Sequence, residues 1–165
     1  MTQNSRFDLS TLVLSLALAV TPATAETDVV LTVRDGEGAV LRSFTDADLS
    51  ALPQRAFETE TIWTAQAHRF AGPTLVTVLE AAGIGELTDD HVILLHALND
   101  YTARIEVSLI DDAAPIVANR VDDAPFPLRE NGPLWVLFPY DQSPTYQTEV
   151  TFAVSVWQLF EITVE

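Results

Sequence analysis

Hydrophobic and polar residues alternate over several short stretches of the chain, a pattern typical of strands that bury one face. Residues 29–33 form the first such stretch, and the turn residues 35–38 lead to a returning strand at 39–44, which predicts a hairpin. Further strands are predicted at residues 57–63, 92–95, 101–107, 116–118 and 134–138. Residues 147–165 are predicted as two more extended segments, or as a strand and a short turn.

Two stretches instead show the spacing of helices. Thr45 and Asp48 stand in the positions of a capping box, and Pro53 ends the short helix that follows. Residues 74–82 carry apolar side chains at helical spacing, and Gly83 stands where a C-terminal cap belongs. Because strands dominate and only two helices interrupt them, the predicted fold class is α+β.

The N-terminus has the pattern of an export signal. Arg6 precedes an apolar run at residues 12–20, Pro22 breaks that run, and Ala23-Thr24-Ala25 provides a small-residue cleavage site. The run is too short for a permanent membrane helix. We therefore expect residues 1–25 to be a cleaved signal peptide and residues 26–165 to form one periplasmic domain, the alternative being a retained N-terminal anchor.

Charge and composition exclude several classes of partner. The chain has 24 acidic residues against 8 basic ones, a formal net charge of −16, and no cysteine. Such a chain repels nucleic acid and anionic lipid headgroups, so we expect neither nucleic-acid binding nor direct membrane insertion. The acidic surface serves either solubility or docking to a basic partner. Without cysteine, no disulfide, thiolate nucleophile or thiolate metal ligand is possible.

Recognisable catalytic chemistry is scarce in the sequence. His68, His91 and His96 do not have the spacing of a metal site, and no nucleophile elbow or phosphate-binding glycine motif is present. Three acidic pairs, at residues 89–90, 111–112 and 122–123, have turn-like neighbours. We interpret them as turn formers rather than as catalytic dyads.

Five segments together are similar to the sulfite-oxidase-like molybdopterin-binding domain. Residues 68–75 (HRFAGPTL) with 79–83 (LEAAG) resemble its W-x-G-V-P-L-x-x-L-L-x-x-A-G helix, and 97–101 (ALNDY) its S-A-D-G-Y turn. Residues 117–126 (VANRVDDAPF) resemble L-A-Y-x-M-N-G-x-P-L, 131–139 (NGPLWVLFP) resemble x-G-G-P-L-R-L-V-V-P, and 155–162, beginning SVWQL, resemble the closing S-V-K-W-L-x-x-I strand. The resemblance covers residues 45–165 and implies a mixed-sheet α+β domain of that type.

The chain departs from this family at the cofactor. The family's molybdenum-binding cysteine would lie near residues 59–61, where this chain has threonines and a glutamate, and its two cofactor-holding cations correspond to Trp135 and Trp157. The pattern resembles a cysteine-less periplasmic branch that binds free reduced pterins. The resemblance implies a tetrahydropterin ligand without molybdenum. It also implies a partner that is the periplasmic domain of a membrane signalling protein, a dual diguanylate cyclase–phosphodiesterase of cyclic-di-GMP and biofilm regulation or a histidine kinase.

Candidate ligand-binding residues follow from pterin chemistry. A carboxylate accepts two hydrogen bonds from the amino and ring N–H groups of a pterin, and aromatic side chains stack on its rings. Two turns offer such carboxylates beside tyrosines, and tryptophans offer stacking faces. Alternatively, the aspartates only form turns and the tryptophans only pack in the core. Arg120 lies in a segment that the family uses near its cofactor, so its side chain either contacts the ligand or forms an ion pair. The candidates are Trp63, Asn99, Asp100, Tyr101, Arg120, Trp135, Tyr140, Asp141 and Trp157.

Three functions are consistent with the sequence. The first is a non-catalytic pterin-binding sensor. The second is a molybdopterin-dependent oxidoreductase that holds its metal without a protein thiolate. The third is an interaction domain that binds no ligand.

Overall fold

The computed structural model describes residues 28–165, so the expected signal peptide at residues 1–25 lies outside the described residues. Three α-helices interrupt the strands: α1 Asp46–Ala51, α2 Leu75–Ala81 and α3 Glu149–Ala153. The strands are β1 Val29–Asp35, β2 Val40–Thr45, β3 Arg55–Thr59, β4 His68–Gly72, β5 Ile93–Ala97, β6 Thr102–Ile105, β7 Ile116–Ala118, β8 Arg120–Val121, β9 Ala124–Pro125, β10 Trp135–Leu137 and β11 Leu159–Val164. The predicted α+β class is confirmed. None of the described helices is long and apolar enough to cross a membrane.

The largest sheet has five strands in the order β2-β1-β11-β5-β6. The last strand of the chain pairs in parallel with the first, with Val33 opposite Ile162, while the other pairs in this sheet are antiparallel. Side chains on the inner face of the sheet, among them Leu31, Val33 and Leu95, are fully buried. The sheet is therefore mixed, and it brings the two ends of the described chain together.

Two smaller sheets complete the fold. One has four strands in the order β3-β4-β8-β9, and the other pairs β10 with β7. The end of β4 meets β7 through the backbone, because Asn119 donates to Ala71 O at 3.0 Å and Val117 donates to Pro73 O at 2.8 Å. A bridge between Trp135 and Trp157 ties β10 to the segment that precedes β11. These contacts place two of the three tryptophans beside each other.

The predicted helix starts are confirmed in atomic detail. Thr45 and Asp48 form both halves of a capping box at α1. At α2, the Thr74 side chain accepts from Thr77 N, and Gly83 has a φ of 89° where the helix ends. Gly83 adopts this left-handed conformation without the steric cost that a Cβ atom would bring.

Two predicted elements differ from the structure. The strand predicted at 57–63 ends at Thr59, and residues 60–67 form a loop, here called the 60s loop. The hydroxyls of Thr61 and Thr64 accept hydrogen bonds from backbone N–H groups of this loop. The backbone is therefore satisfied locally instead of by pairing with a neighbouring strand. Residues 147–165 contain helix α3 before β11, where extended segments or a strand and a turn were predicted. The helix starts at Thr148, whose side chain caps Thr151 N.

We expect Gly72→Ala to destabilise the fold. A Cβ atom at this position would overlap Val117 O and lie 2.8 Å from Ala118 Cα, so β4 and β7 would have to separate. Overpacking of this kind costs about 3 kcal/mol of unfolding free energy. Gly85→Ala is the matched control, because a methyl group added there would meet no atom within 4 Å. Urea denaturation measures both. Equal stability of the two variants would contradict the close approach.

Candidate functional site

Three tryptophans that are far apart in the sequence meet in one cluster. Trp63 lies edge-to-face on Trp135, with ring centroids 5.7 Å apart, and on Trp157, at 5.5 Å. Trp135 and Trp157 meet at 6.3 Å. Such pairs contribute roughly 0.5–1.5 kcal/mol each beyond their burial. The structure thus brings together all three predicted stacking residues.

The position of Trp63 depends on how the 60s loop is held. The Asp141 carboxylate accepts a hydrogen bond from Glu60 N at 2.7 Å, and Asp141 N donates to Thr59 Oγ1 at 3.2 Å. Within the loop, Thr61 N donates to Thr64 Oγ1 at 3.1 Å. Asp141 therefore anchors the start of the loop, a contact that its turn-like sequence neighbours did not reveal.

Trp135 and Trp157 play different parts in the cluster. Trp135 is 1% exposed, and its indole N–H donates to Ser155 O at 3.1 Å, so its polar atom is satisfied inside the core. Trp157 is half-buried and faces a cavity, as does Trp63. Trp135 is therefore packed within the core, while Trp63 and Trp157 are half-buried and line this cavity.

A cavity of about 290 Å³, here called the tryptophan cavity, lies against this cluster. It includes four of the predicted residues, Trp63, Asn99, Tyr101 and Trp157. The others that line it are Ala97, Phe152, Ala153, Ser155 and Val156. Phe152 and Ala153 were missed because helix α3 was not predicted. None of the nine lining residues carries a charge.

The turn at Asn99, Asp100 and Tyr101 forms part of the cavity wall. Asp100 has a φ of 66°, and the Asn99 side chain accepts from Tyr101 N at 3.2 Å. The Tyr101 hydroxyl donates to Ala153 O at 2.8 Å, which fixes the turn to helix α3. Asp100 is exposed and lies in the sequence between two lining residues, but it is not itself one of the residues of the cavity wall.

Tyr140 and Asp141 border a separate cavity of about 270 Å³, beside Glu60, Thr61 and Ile62 of the 60s loop. The Tyr140 hydroxyl is 2.5 Å from Ser155 Oγ, which in turn donates to Thr151 O at 2.7 Å. Burial raises the pKa of Tyr140 to about 12. Tyr140 is therefore a neutral phenol at ordinary pH. Its hydroxyl is hydrogen-bonded to Ser155, which also lines the tryptophan cavity.

Arg120 lies in a different environment from the other candidates. It makes two hydrogen bonds of 2.7 Å to the two carboxylate oxygens of Asp46 at the start of α1. The Arg120 guanidinium lowers the pKa of Asp46, and the carboxylate raises the pKa of Arg120. Arg120 lines neither the tryptophan cavity nor the cavity beside Tyr140 and Asp141. Of its two predicted roles, the ion pair is the one present.

The residues of this site do not fit a molybdenum-bound pterin cofactor. Thr59, Glu60 and Thr61 occupy the segment where a thiolate ligand would be needed, and both threonine side chains are buried. Among residues 28–165 no group of three His, Cys, Asp or Glu side chains could hold a metal ion. The positions that correspond to the family's cations are filled by packed indole rings of Trp135 and Trp157. The donor set suits an uncharged aromatic ligand better than an anionic one.

Comparison with known proteins extends only to the fold. No protein-family model and no curated protein sequence matches this chain. Among solved structures, the sulfane dehydrogenase SoxCD from Paracoccus pantotrophus is similar, with a TM-score of 0.60 and 14% sequence identity. The match covers 85% of this chain but only 39% of that one. The chain therefore has a fold distantly similar to the sulfite-oxidase type.

Proposed function

We propose that this domain binds a reduced pterin in the tryptophan cavity without transforming it, and that it acts as the sensing module of a membrane-bound signalling partner. The observation that supports this most directly is the character of the cavity wall. Aromatic rings of Trp63, Tyr101, Phe152 and Trp157 line it, and no lining residue is charged. An uncharged, flat heterocycle is the ligand class that such a wall favours.

The size of the cavity agrees with a small ring system. Its volume of about 290 Å³ is just below the usual range of small-molecule sites, which is roughly 300–1,000 Å³. Trp63 and Trp157 touch each other at 74°, so no ring can enter between them. A bicyclic ligand would instead lie against the free face of one indole.

Polar groups at the Asn99–Asp100 turn suit the pyrimidine edge of a pterin. The Asn99 amide nitrogen and the Asp100 carboxylate make no hydrogen bonds to other residues within 28–165. A carboxylate accepts from the amino and ring N–H groups of a pterin, and an amide N–H donates to its oxo group. Asp100 and Asn99 together therefore offer both kinds of partner.

Charge favours a free pterin over a phosphorylated cofactor. The resemblance to the molybdopterin-binding family implies an anionic ligand held by cations, but here Trp135 and Trp157 take those positions. Placing a phosphate near uncharged aromatic walls, on a chain with a net charge of −16, is unfavourable. This argument favours the pterin sensor over the molybdopterin-dependent oxidoreductase.

Signalling to a partner is the second part of the proposal. The expected signal peptide would place the domain in the periplasm, and its acidic surface favours a partner face rich in Arg or Lys. The 60s loop offers a connection, because Trp63 faces the cavity while its neighbour Ile62 is 64% exposed. By thermodynamic linkage, pterin binding changes the affinity for the partner by the same factor by which partner binding changes the affinity for pterin. Equal partner affinity with and without pterin would contradict the sensor role.

We expect titration with a tetrahydropterin, under anaerobic conditions, to quench tryptophan emission to saturation. Trp157→Leu should weaken binding about tenfold, because the leucine keeps apolar volume but removes the stacking face. Chromatography should recover the pterin unchanged.

Phe160→Leu is the matched control, since Phe160 is an exposed aromatic residue on β11 outside the cavity wall. It should bind as the wild type does. A flat titration of the wild-type protein would favour the interaction domain that binds no ligand.

We expect Asp100→Asn to weaken tetrahydropterin binding about tenfold. The carboxylate accepts hydrogen bonds at both oxygens, whereas the amide has one acceptor oxygen and one donor nitrogen. Asparagine tolerates the φ of 66° at this position, so the turn should persist. Asp123→Asn is the matched control, because Asp123 has a φ of 65° in another exposed turn and lines neither the tryptophan cavity nor the cavity beside Tyr140 and Asp141. Calorimetric titration compares the two. An equal loss in both variants would remove Asp100 from the site.

A further inference from the structure

A third cavity, of about 320 Å³, adjoins the β8–β9 hairpin and is here called the hairpin cavity. It shares no lining residue with the tryptophan cavity. Trp135 lines the hairpin cavity and Trp63 lines the tryptophan cavity, and the two rings touch at 5.7 Å. The tryptophan cluster thus contributes a wall to each of two separate cavities.

Aromatic rings form the apolar side of the hairpin cavity. Phe70 and Phe126 are stacked at 6.2 Å with an angle of 10° between their planes. Trp135 meets Phe70 edge-on at 5.8 Å and Phe126 at 6.2 Å. Faces of aromatic rings carry negative potential and attract organic cations.

Hydrogen-bond acceptors form the polar side. His68 Nδ1 is 2.7 Å from Asp122 Oδ2, and the other Asp122 oxygen accepts from Arg69 N at 3.0 Å. A His68 ring that is neutral and donates its Nδ1 proton to Asp122 would leave Nε2 as an acceptor. His68 Nε2 makes no hydrogen bond to any of residues 28–165.

The charge of the wall has one sign. Asp122 and Glu130 line the cavity, and Glu130 forms no ion pair with any residue in the described range. None of the twelve lining residues is lysine or arginine. An anion would find no lysine or arginine here, whereas a cation would find the Glu130 carboxylate, the Asp122 carboxylate that also bonds His68, and the aromatic rings.

We propose that the hairpin cavity is a second ligand site, for a small protonated amine with an aryl or other apolar body. The ammonium N–H groups donate to His68 Nε2 and to the Glu130 carboxylate, and the body lies against Phe126 and Trp135. The two cavities have no lining residue in common, so variants at each can be tested separately.

Calorimetry with three probes that differ only in the head group tests this proposal: phenethylamine, phenylethanol and phenylacetate. The amine should bind at least about tenfold more tightly than the alcohol, which corresponds to one charge-assisted hydrogen bond, and phenylacetate should bind most weakly. Absence of phenethylamine binding, or equal affinity for all three probes, would overturn the assignment.

Variants locate the site and separate it from the pterin site. Glu130→Gln, at an exposed position, should weaken phenethylamine binding about fivefold and leave phenylethanol binding unchanged. Glu37→Gln, in the exposed turn after β1, is the control for the loss of one negative charge and should bind phenethylamine as the wild type does. His68→Phe should also weaken amine binding, because it removes the Nε2 acceptor. If His68→Phe does not fold, Glu130→Gln alone tests the site.

The tetrahydropterin titration should be the same in Glu130→Gln and in wild type. Loss of amine binding with intact pterin binding therefore tests this site alone. Equal amine binding by wild type and Glu130→Gln would contradict it, whatever the outcome of the pterin experiment.

Discussion

The packing of three indole rings is the constraint around which the site is built. Trp63, Trp135 and Trp157 come from a loop, a strand and the segment before the last strand, and each touches the other two. Their contacts bring the 60s loop onto the β10–β7 sheet and close one side of two cavities. Any ligand of this region must therefore meet aromatic surface, and the chemistry of the site follows from that surface and its acceptor-rich edges.

The same cluster bears on which ligands this fold can hold here. A distantly sulfite-oxidase-like fold is retained at 14% identity to the sulfane dehydrogenase, which is a likeness of fold alone. Indoles stand where the family resemblance would require cations, and threonine hydroxyls stand where it would require a thiolate. With uncharged aromatic walls in place, we expect the binding free energy of a ligand in the tryptophan cavity to come from stacking and from hydrogen bonds to the Asn99–Asp100 turn.

Local signals in the sequence were sufficient for the elements that local interactions determine. The capping box at Thr45 and Asp48 predicted the start of α1, because a cap is a contact between residues three apart, and apolar residues at helical spacing over residues 74–82 predicted α2. Helix α3 has only five residues, and its cap is a single threonine, so no periodic pattern marks it. Strand β3 ends at Thr59, before the predicted residue 63, because threonine hydroxyls bond the backbone of the following loop. The hydrophobic pattern of the sequence does not indicate such bonds.

The candidate site was predictable by residue type but not by arrangement. The sequence indicated aromatic and acidic groups, yet which tryptophan is buried depends on strand pairing across the whole domain. The Arg120–Asp46 pair joins residues 74 positions apart, and Asp141 holds Glu60 across 81 positions. Contacts of this range follow from topology, so they became visible only in the folded chain.

The proposed pterin site should select an uncharged pterin over a phosphorylated one. Calorimetric titration with a tetrahydropterin, and with the same tetrahydropterin bearing a phosphate on its side chain, measures this preference. We expect the uncharged compound to bind about tenfold or more tightly than the phosphate, since no lining residue offers the phosphate a positive charge. Equal or tighter binding of the phosphorylated pterin would show that the tryptophan cavity does not select an uncharged ligand.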